Sequence, residues 1–307
     1  MFILYNEAIE KAMREDPYIP PPPPLVDDIN KPLAFQSEKD GSTVTLKKSG
    51  SQLSAWGGFE ISRDGGEWED YTVSTPITLN RGHYVSFRTK TTAGVDHDSF
   101  WQFFVSGKIN AYNNINSMVS ADFLNLSELA PYQFHHLFDD CTALYKAPQL
   151  PATTLADSCY RFMFRGCTSL TSVPQLPATT LAERCYSSMF DGCTSLTSAP
   201  QLPATTLADS CYSFMFSDCT SLTSAPQLPA TTLATNCYNT MFWGCSKLKK
   251  VRVSATTTAT NAMKSWLYNV SATGDFYCDP NATIFPTGAS GIPKGWTRHA
   301  LADYPQT

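Results

Sequence analysis

Residues 202–227 read LPATTLADSCYSFMFSDCTSLTSAPQ, and the reading of this unit decides the fold. Four near-identical copies run through residues 150–253. Cys141, Cys167, Cys193, Cys219 and Cys245 recur every 26 residues, and Cys159, Cys185, Cys211 and Cys237 form a second series with the same step. Leu155, Leu181, Leu207 and Leu233 make a third series, and Met163, Met189, Met215 and Met241, each followed by Phe, a fourth. Self-similarity at a fixed step of this length marks a solenoid. One unit cannot bury its own apolar stripe, but stacked units can.

Within the unit, Thr205 or Thr206 is expected to cap a short helix through its hydroxyl. Leu207, Cys211 and Met215 then recur every fourth residue with Phe216 alongside, which predicts one helical face. Asp218, replaced by Gly166, Gly192 and Gly244 in the sister units, is expected to end that helix. Residues 220–224 read as a short strand with Leu222 inward, and Pro226 as the break after it. The expected fold class is therefore α+β. It comprises a leucine-rich-repeat solenoid with one short helix and one short strand per 26-residue unit, preceded by an immunoglobulin-like β-sandwich.

Degenerate copies flank the four. Upstream, Phe134, Leu137, Phe138 and Cys141 keep the pattern while Gln133 replaces the first cysteine. Downstream, after a one-residue slip, Ala262, Met263, Trp266, Leu267 and Val270 fall where Cys237, Tyr238, Met241, Phe242 and Cys245 stood. Since Ala262 and Val270 occupy cysteine positions, the ten cysteines are expected to be buried thiols acting as small hydrophobes rather than disulfides. Neighbouring cysteines eight residues apart, such as Cys159 and Cys167, lack the close spacing of zinc sites.

The expected organisation is a docking peptide and polyproline spacer at 1–32 and the sandwich at 33–107. A cap with a degenerate repeat follows at 108–149, then the four repeats at 150–253 and a C-terminal cap at 254–307. Residues 6–16 read as a short helix and Pro20 to Pro24 as extended polyproline. The segment is either a plain leader or a docking peptide anchored through Ile9, Met13 and Tyr18. Strands are expected at 43–48, 58–62, 68–72, 77–79, 84–89 and 100–106, with Arg63, Asp64, Gly65 and Gly66 forming a hairpin turn.

Composition narrows the function classes. Charged residues make up 16% and hydrophobic residues 42%, too apolar for a disordered chain. A net charge of −5 without a basic face argues against nucleic acid. No run approaches a membrane span, so membrane insertion is not expected. The apolar start at Met1 to Tyr5 is too short for an export-signal core, and no lipid-attachment cysteine lies near it.

The runs LPATTLADSCY, MFRGCTSLTS and APQLPATTLA resemble the BspA-like leucine-rich-repeat proteins of gut Bacteroidales and their phages. The segment GGEWEDYTVSTPITLNRGHYVSFR resembles the sandwich that often precedes such repeats, and GASGIPKGWT their C-terminal end. The resemblance spans residues 33–307 and implies adhesion or surface recognition without catalysis. Cell-surface members begin with an export signal, which is not read here. The expectation is a virion-surface component, in head or tail fibre, contacting other virion structural proteins or a host surface protein or glycan. A homo-oligomer is compatible with this. The alternative is a bacterial cell-surface adhesin.

No phosphate loop, zinc-protease helix or nucleophile elbow is present, and no catalytic residue, metal or cofactor is expected. His97 between Asp96 and Asp98 reads as a loop residue. His135 and His136 lie near Cys141, but Cys141 belongs to a repeated core series. Asp139 and Asp140 are merely adjacent. Where the units differ is more informative. Asp157, Arg161, Phe162 and Arg165 in one unit become Glu183, Ser187, Ser188 and Asp191. They then become Asp209, Ser213, Phe214 and Ser217, and finally Thr235, Asn239, Thr240 and Trp243. The expected binding surface comprises Arg161, Phe162, Arg165, Phe214 and Trp243, together with the basic cluster Lys247, Lys249 and Lys250, which continues to Arg252. Rows of Thr168, Thr194 and Thr220, and of Thr171, Thr197 and Thr223, are expected on the opposite face.

Overall fold

The computed structural model describes residues 22–49, 58–90, 100–126 and 128–305. Ile9, Met13, Tyr18 and His97 lie outside the described residues. The strands are β1 (Ala34–Ser37), β2 (Ser42–Ser49), β3 (Phe59–Arg63), β4 (Trp68–Tyr71), β5 (Ile77–Leu79), β6 (Tyr84–Thr89), β7 (Phe100–Ser106) and β8 (Ile109–Tyr112). They continue with β9 (Leu144–Lys146), β10 (Ser224–Leu228), β11 (Lys250–Val253), β12 (Gly274–Cys278) and β13 (Trp296–Ala300). Only three short 3-10 turns accompany them, and the described residues contain no α-helix and hence no helix able to cross a membrane.

The leucine-rich-repeat expectation is therefore corrected: the repeat region is a β-solenoid. The segment expected to be helical is a run of bends whose backbone bonds alternate. The N–H groups of Cys159, Arg161, Met163, Arg165 and Cys167 each donate to the carbonyl three residues back, at 3.2 Å. Those of Ser158, Tyr160, Phe162, Phe164 and Gly166 donate instead to Glu183, Cys185, Ser187, Met189 and Asp191 of the next coil, at 2.8–3.1 Å. An α-helix would send every N–H to the residue four back. Here half the donors stitch one coil to its neighbour, as in a sheet.

Backbone handedness explains the spacing of four. Ser158, Phe162 and Gly166 all have positive φ, and the same three positions repeat in every copy. They are Tyr132, His136 and Asp140; Arg184, Ser188 and Gly192; Ser210, Phe214 and Asp218; Asn236, Thr240 and Gly244; and Asn261, Ser265 and Asn269. A left-handed residue every fourth position turns both members of each following pair inward, so Cys159 with Tyr160 and Met163 with Phe164 are all buried. Gly166, Gly192, Gly244 and Asp218 are part of this rhythm, not helix stops. The threonines expected to cap a helix instead bridge neighbouring coils, Thr180 to Thr206 and Thr232 to Thr257. Pro226 does not end a strand. It lies inside β10, at a register shift between Ser224 and Gln227 against β11, the sort of irregularity that tolerates a missing donor.

Three ladders run through the dry interior. The rings of Phe103, Phe138, Phe164, Phe190, Phe216 and Phe242 stack at 5.3–5.7 Å. Phe134, Tyr160, Tyr186, Tyr212, Tyr238 and Trp266 stack at 5.6–6.2 Å. The third ladder is of sulfur. The thiols of Cys167, Cys193, Cys219 and Cys245 donate to the carbonyls of Phe138, Phe164, Phe190 and Phe216 in the preceding coil, at 3.0–3.2 Å. All ten cysteines are free and buried. Burial pushes the Cys159 and Cys237 thiols up to about 12, and Cys167 and Cys219 far above the ordinary range. Trp266 closes the far end against Phe276 and Phe285, its Nε1 donating to the Gly291 carbonyl at 3.0 Å.

In front lie two packed sheets. One runs β4-β3-β6-β1-β8-β9, the other β5-β2-β7. The six expected strands fall at β2 to β7 with ends shifted by a residue. The expected immunoglobulin-like sandwich is corrected in one respect: it is not a separate unit. Five strands face three, and the larger sheet continues into the solenoid because β8 pairs in parallel with β9. Every residue of β1 and β8 is buried, so neither carries the in-out alternation that marks a strand in sequence. Residues 22–31 are strapped over this seam. The Leu25 N–H donates to Gln36 Oε1, the Asp28 N–H donates to Asn113 Oδ1, and Asp27 pairs with Lys146 at 2.6 Å.

Candidate recognition face

The bend runs decide which side chains face outward. With 159, 160, 163 and 164 committed to the interior, the chain presents 161, 162 and 165 on the surface. The equivalent residues of each later coil follow in columns along the solenoid. Coils joined by hydrogen bonds stand ~4.8 Å apart, so each column is a row of closely spaced side chains.

At its upstream end the face is charged and aromatic. Arg165 forms a bidentate pair with Asp139 of the preceding coil, Nε to Oδ1 at 2.8 Å and Nη2 to Oδ2 at 2.6 Å. His136 Nδ1 lies 2.6 Å from the same Oδ2. Burial opposes charge on Asp139, but His136 and Arg165 together hold its carboxyl below the ordinary range. The Phe162 ring stacks on His136 at 4.7 Å, with the Arg161 and Arg165 guanidiniums 4.5 and 4.8 Å from its centroid. His135, buried beneath and 4.0 Å from His136, is pushed down to about 3 by desolvation and by His136 and Arg161.

The middle of the face is lined by small residues. Ser187, Ser188, Ser213 and Ser217 are buried among their neighbours. Asp191, in the column of Arg165, is pushed up to about 6, mainly by burial and with help from Asp218, although Ser217 hydrogen-bonds it. At the downstream end Phe214 is 40% and Tyr268 47% exposed, and Trp243 stacks on Tyr268 at 6.4 Å.

Of the residues expected on a binding surface, the fold thus gathers Arg161, Phe162 and Arg165 into one cluster, with Phe214 and Trp243 further along the same columns. Lys247, Lys249 and Lys250 are not brought there. Lys247 and Lys249 are exposed after the bend run. Lys250 lies in β11, with its Nζ 5.9 Å from the Tyr304 ring and Arg252 beside it at 5.3 Å. His136, Asp139 and Tyr268 were not read as part of the face. Counting 26 residues back from Phe162 and Arg165, or 25 on from Trp243, reaches them, so the repeat itself held the signal.

Cys141 is no partner for the histidines: its thiol donates to the Phe103 carbonyl at 2.9 Å. Asp140 is exposed, whereas Asp139 is buried under Arg165. Among the described residues no group of three or more His, Cys, Asp or Glu side chains is placed to hold a metal ion. The threonine rows lie apart, with Thr194 Oγ1 3.4 Å from the Thr168 carbonyl and Thr171 Oγ1 3.2 Å from the Tyr145 carbonyl.

No family model, no curated protein and no solved structure matches the chain. On the face, Arg165 is paired with Asp139, whereas no acidic side chain among the described residues pairs with Arg161.

Proposed function

We propose that this chain is a non-catalytic recognition and structural protein, and that the face carrying Arg161, Phe162, Arg165, Phe214 and Trp243 contacts its partner. One observation carries the reading. Core columns are the same residue in coil after coil, while the outward columns change between Arg, Ser, Phe, Asp, Asn and Trp. Shallow contacts along such a rod gain strength through repetition and copy number. The setting we favour is a virion surface, where the solenoid meets a host surface or a neighbouring subunit. The resemblance to BspA-like repeats supports surface recognition, on a virion or on a cell. The virion setting is supported by ten free thiols, which suit folding in a reducing cytoplasm before exposure.

The test is a glycan and surface-protein array probed with the whole chain, with the bound ligands checked for cleavage. Retention of an intact ligand, weakened by Phe214→Ser, supports the reading. Release of cleaved product, or binding unchanged by substitution anywhere on the face, contradicts it.

A further inference from the structure

We propose that Arg161 anchors a site for an anionic group, a carboxylate or a sulfate, carried by a polysaccharide; this rests on the recognition reading above. Arg161 and Arg165 share the Phe162 ring at the upstream end of the face, Arg184 is close enough to act on Arg161, and two of the three have their acids. Arg165 is held by both oxygens of Asp139, and Arg184 pairs with Glu183. Arg161 has none: no acidic side chain among the described residues pairs with it, and its Nε is buried without a hydrogen-bond partner. Its charge is further disfavoured by desolvation and by Arg184, with Tyr132 acting the other way. A cation kept half-buried beside another cation is a place where an incoming anion gains more than it would on an open surface.

The guanidinium is also fixed in place. It lies 4.5 Å from the Phe162 ring, which His136 backs at 4.7 Å. The Phe162 backbone is pinned by its N–H bond to the Ser187 carbonyl at 3.1 Å. Donors held this way lose little freedom on binding. The rest of the face names the carrier. Along the solenoid axis a polymer leaving Arg161 crosses the coil of the buried Ser187 and Ser188 and reaches exposed Phe214, then the stacked pair Trp243 and Tyr268. Successive aromatic faces suit a chain of sugar rings. A nucleic-acid backbone would need one cation after another, and Asp191 stands in the column instead.

The experiment measures binding of the whole chain to immobilised polygalacturonate, heparin and neutral dextran at low salt. Four proteins are compared: wild type, Arg161→Met, Arg161→Lys and Lys249→Gln. The site predicts binding to one or both acidic polymers and not to dextran. It also predicts at least a tenfold loss for Arg161→Met, partial recovery for Arg161→Lys, and less than a twofold change for Lys249→Gln. Heparin against polygalacturonate separates sulfate from carboxylate. Unchanged affinity in Arg161→Met, equal loss in Lys249→Gln, dextran binding as tight as that of the acids, or no binding to either acid overturns the site. If Arg161→Met does not fold, Arg161→Lys against Lys249→Gln decides: the site predicts that Arg161→Lys binds more weakly than Lys249→Gln, and equal affinities overturn it. A neutral ligand retained by Arg161→Met would sink this site and leave the recognition reading intact, whereas cleavage of the ligand would sink the recognition reading.

Discussion

The Cys141 thiol donates to the Phe103 carbonyl at 2.9 Å, although Phe103 belongs to the sandwich and Cys141 to the first coil. The same bond joins Cys167 to Phe138 and Cys193 to Phe164. Phe103 is thus the first rung of the solenoid's phenylalanine ladder, and its ring stacks on Phe138 at 5.4 Å. The sandwich serves as the solenoid's N-terminal cap, covering apolar surface that would otherwise face water.

This sulfur bond predicts the effect of removing it. Cys193→Ala leaves a small cavity and removes a donor from the Phe164 carbonyl, at a cost of about 1–3 kcal/mol. Urea unfolding midpoints of wild type, Cys193→Ala and Cys193→Ser test it, with Ser, which keeps a donor, expected to lose less than Ala.

The left-handed positions are tested by glycine. A Cβ on Gly166 would come within 2.2 Å of Asp140 Oδ1, while one on Gly192 would meet only the Gly166 backbone at 3.6 Å. Both residues have positive φ, so both alanine variants carry about 1 kcal/mol of backbone strain. Gly166→Ala is expected to lose more stability than Gly192→Ala, and equal losses would count against the stacking register.

Asp191 sets one pH dependence. Its carboxyl is raised to about 6 in the folded chain against an ordinary 3.8, so between those values the folded state binds more protons than the unfolded. Ionised Asp191 therefore costs stability at neutral pH, and that cost is relieved as pH falls through 6. Asp191→Asn should raise the melting temperature more at pH 7 than at pH 4.5. A pH-independent difference would contradict the burial of this group.

His135 works the other way. Its imidazole is lowered to about 3 from 6.5, so the unfolded state takes up the proton first as pH falls. The stability it contributes is complete above 6.5 and lost toward 3. Melting temperature in His135→Asn should fall less between pH 7 and pH 4 than in wild type.

Asp139 joins two coils through Arg165. Asp139→Asn is expected to cost about 1–2 kcal/mol, less than for a fully buried pair because the Arg165 side chain remains 38% exposed. A double-mutant cycle with Arg165→Met would show coupling between the two positions; additive losses would mean that the pair does not tie the coils together.

The repeat and its dry interior were legible in the residues. What the residues hid was the backbone. Leu155, Cys159, Met163 and Cys167 recur at a spacing of four, which suggests a helix. Yet on an α-helix each such step drifts ~40°, so over this distance the stripe would leave its own face. Inward neighbours such as Cys159 with Tyr160, and the run of Ser, Asn, Asp and Gly at every fourth position, fit left-handed bends better. Phe162, Arg184 and Thr240 masked that signal, because such residues rarely take positive φ and do so here under the hold of neighbouring coils. The basic cluster misled for a simpler reason: it follows the bend run, so it shares a coil with Trp243 without sharing its face.

Thiol counting tests the shared dry interior most directly. A thiol-reactive dye should find almost no accessible sulfur in the native chain, and ten per chain once denatured without reductant. Rapid labelling of the native protein, or a denatured count well below ten, would mean that the sulfurs line water or are paired, and the stacked interior described above would be wrong.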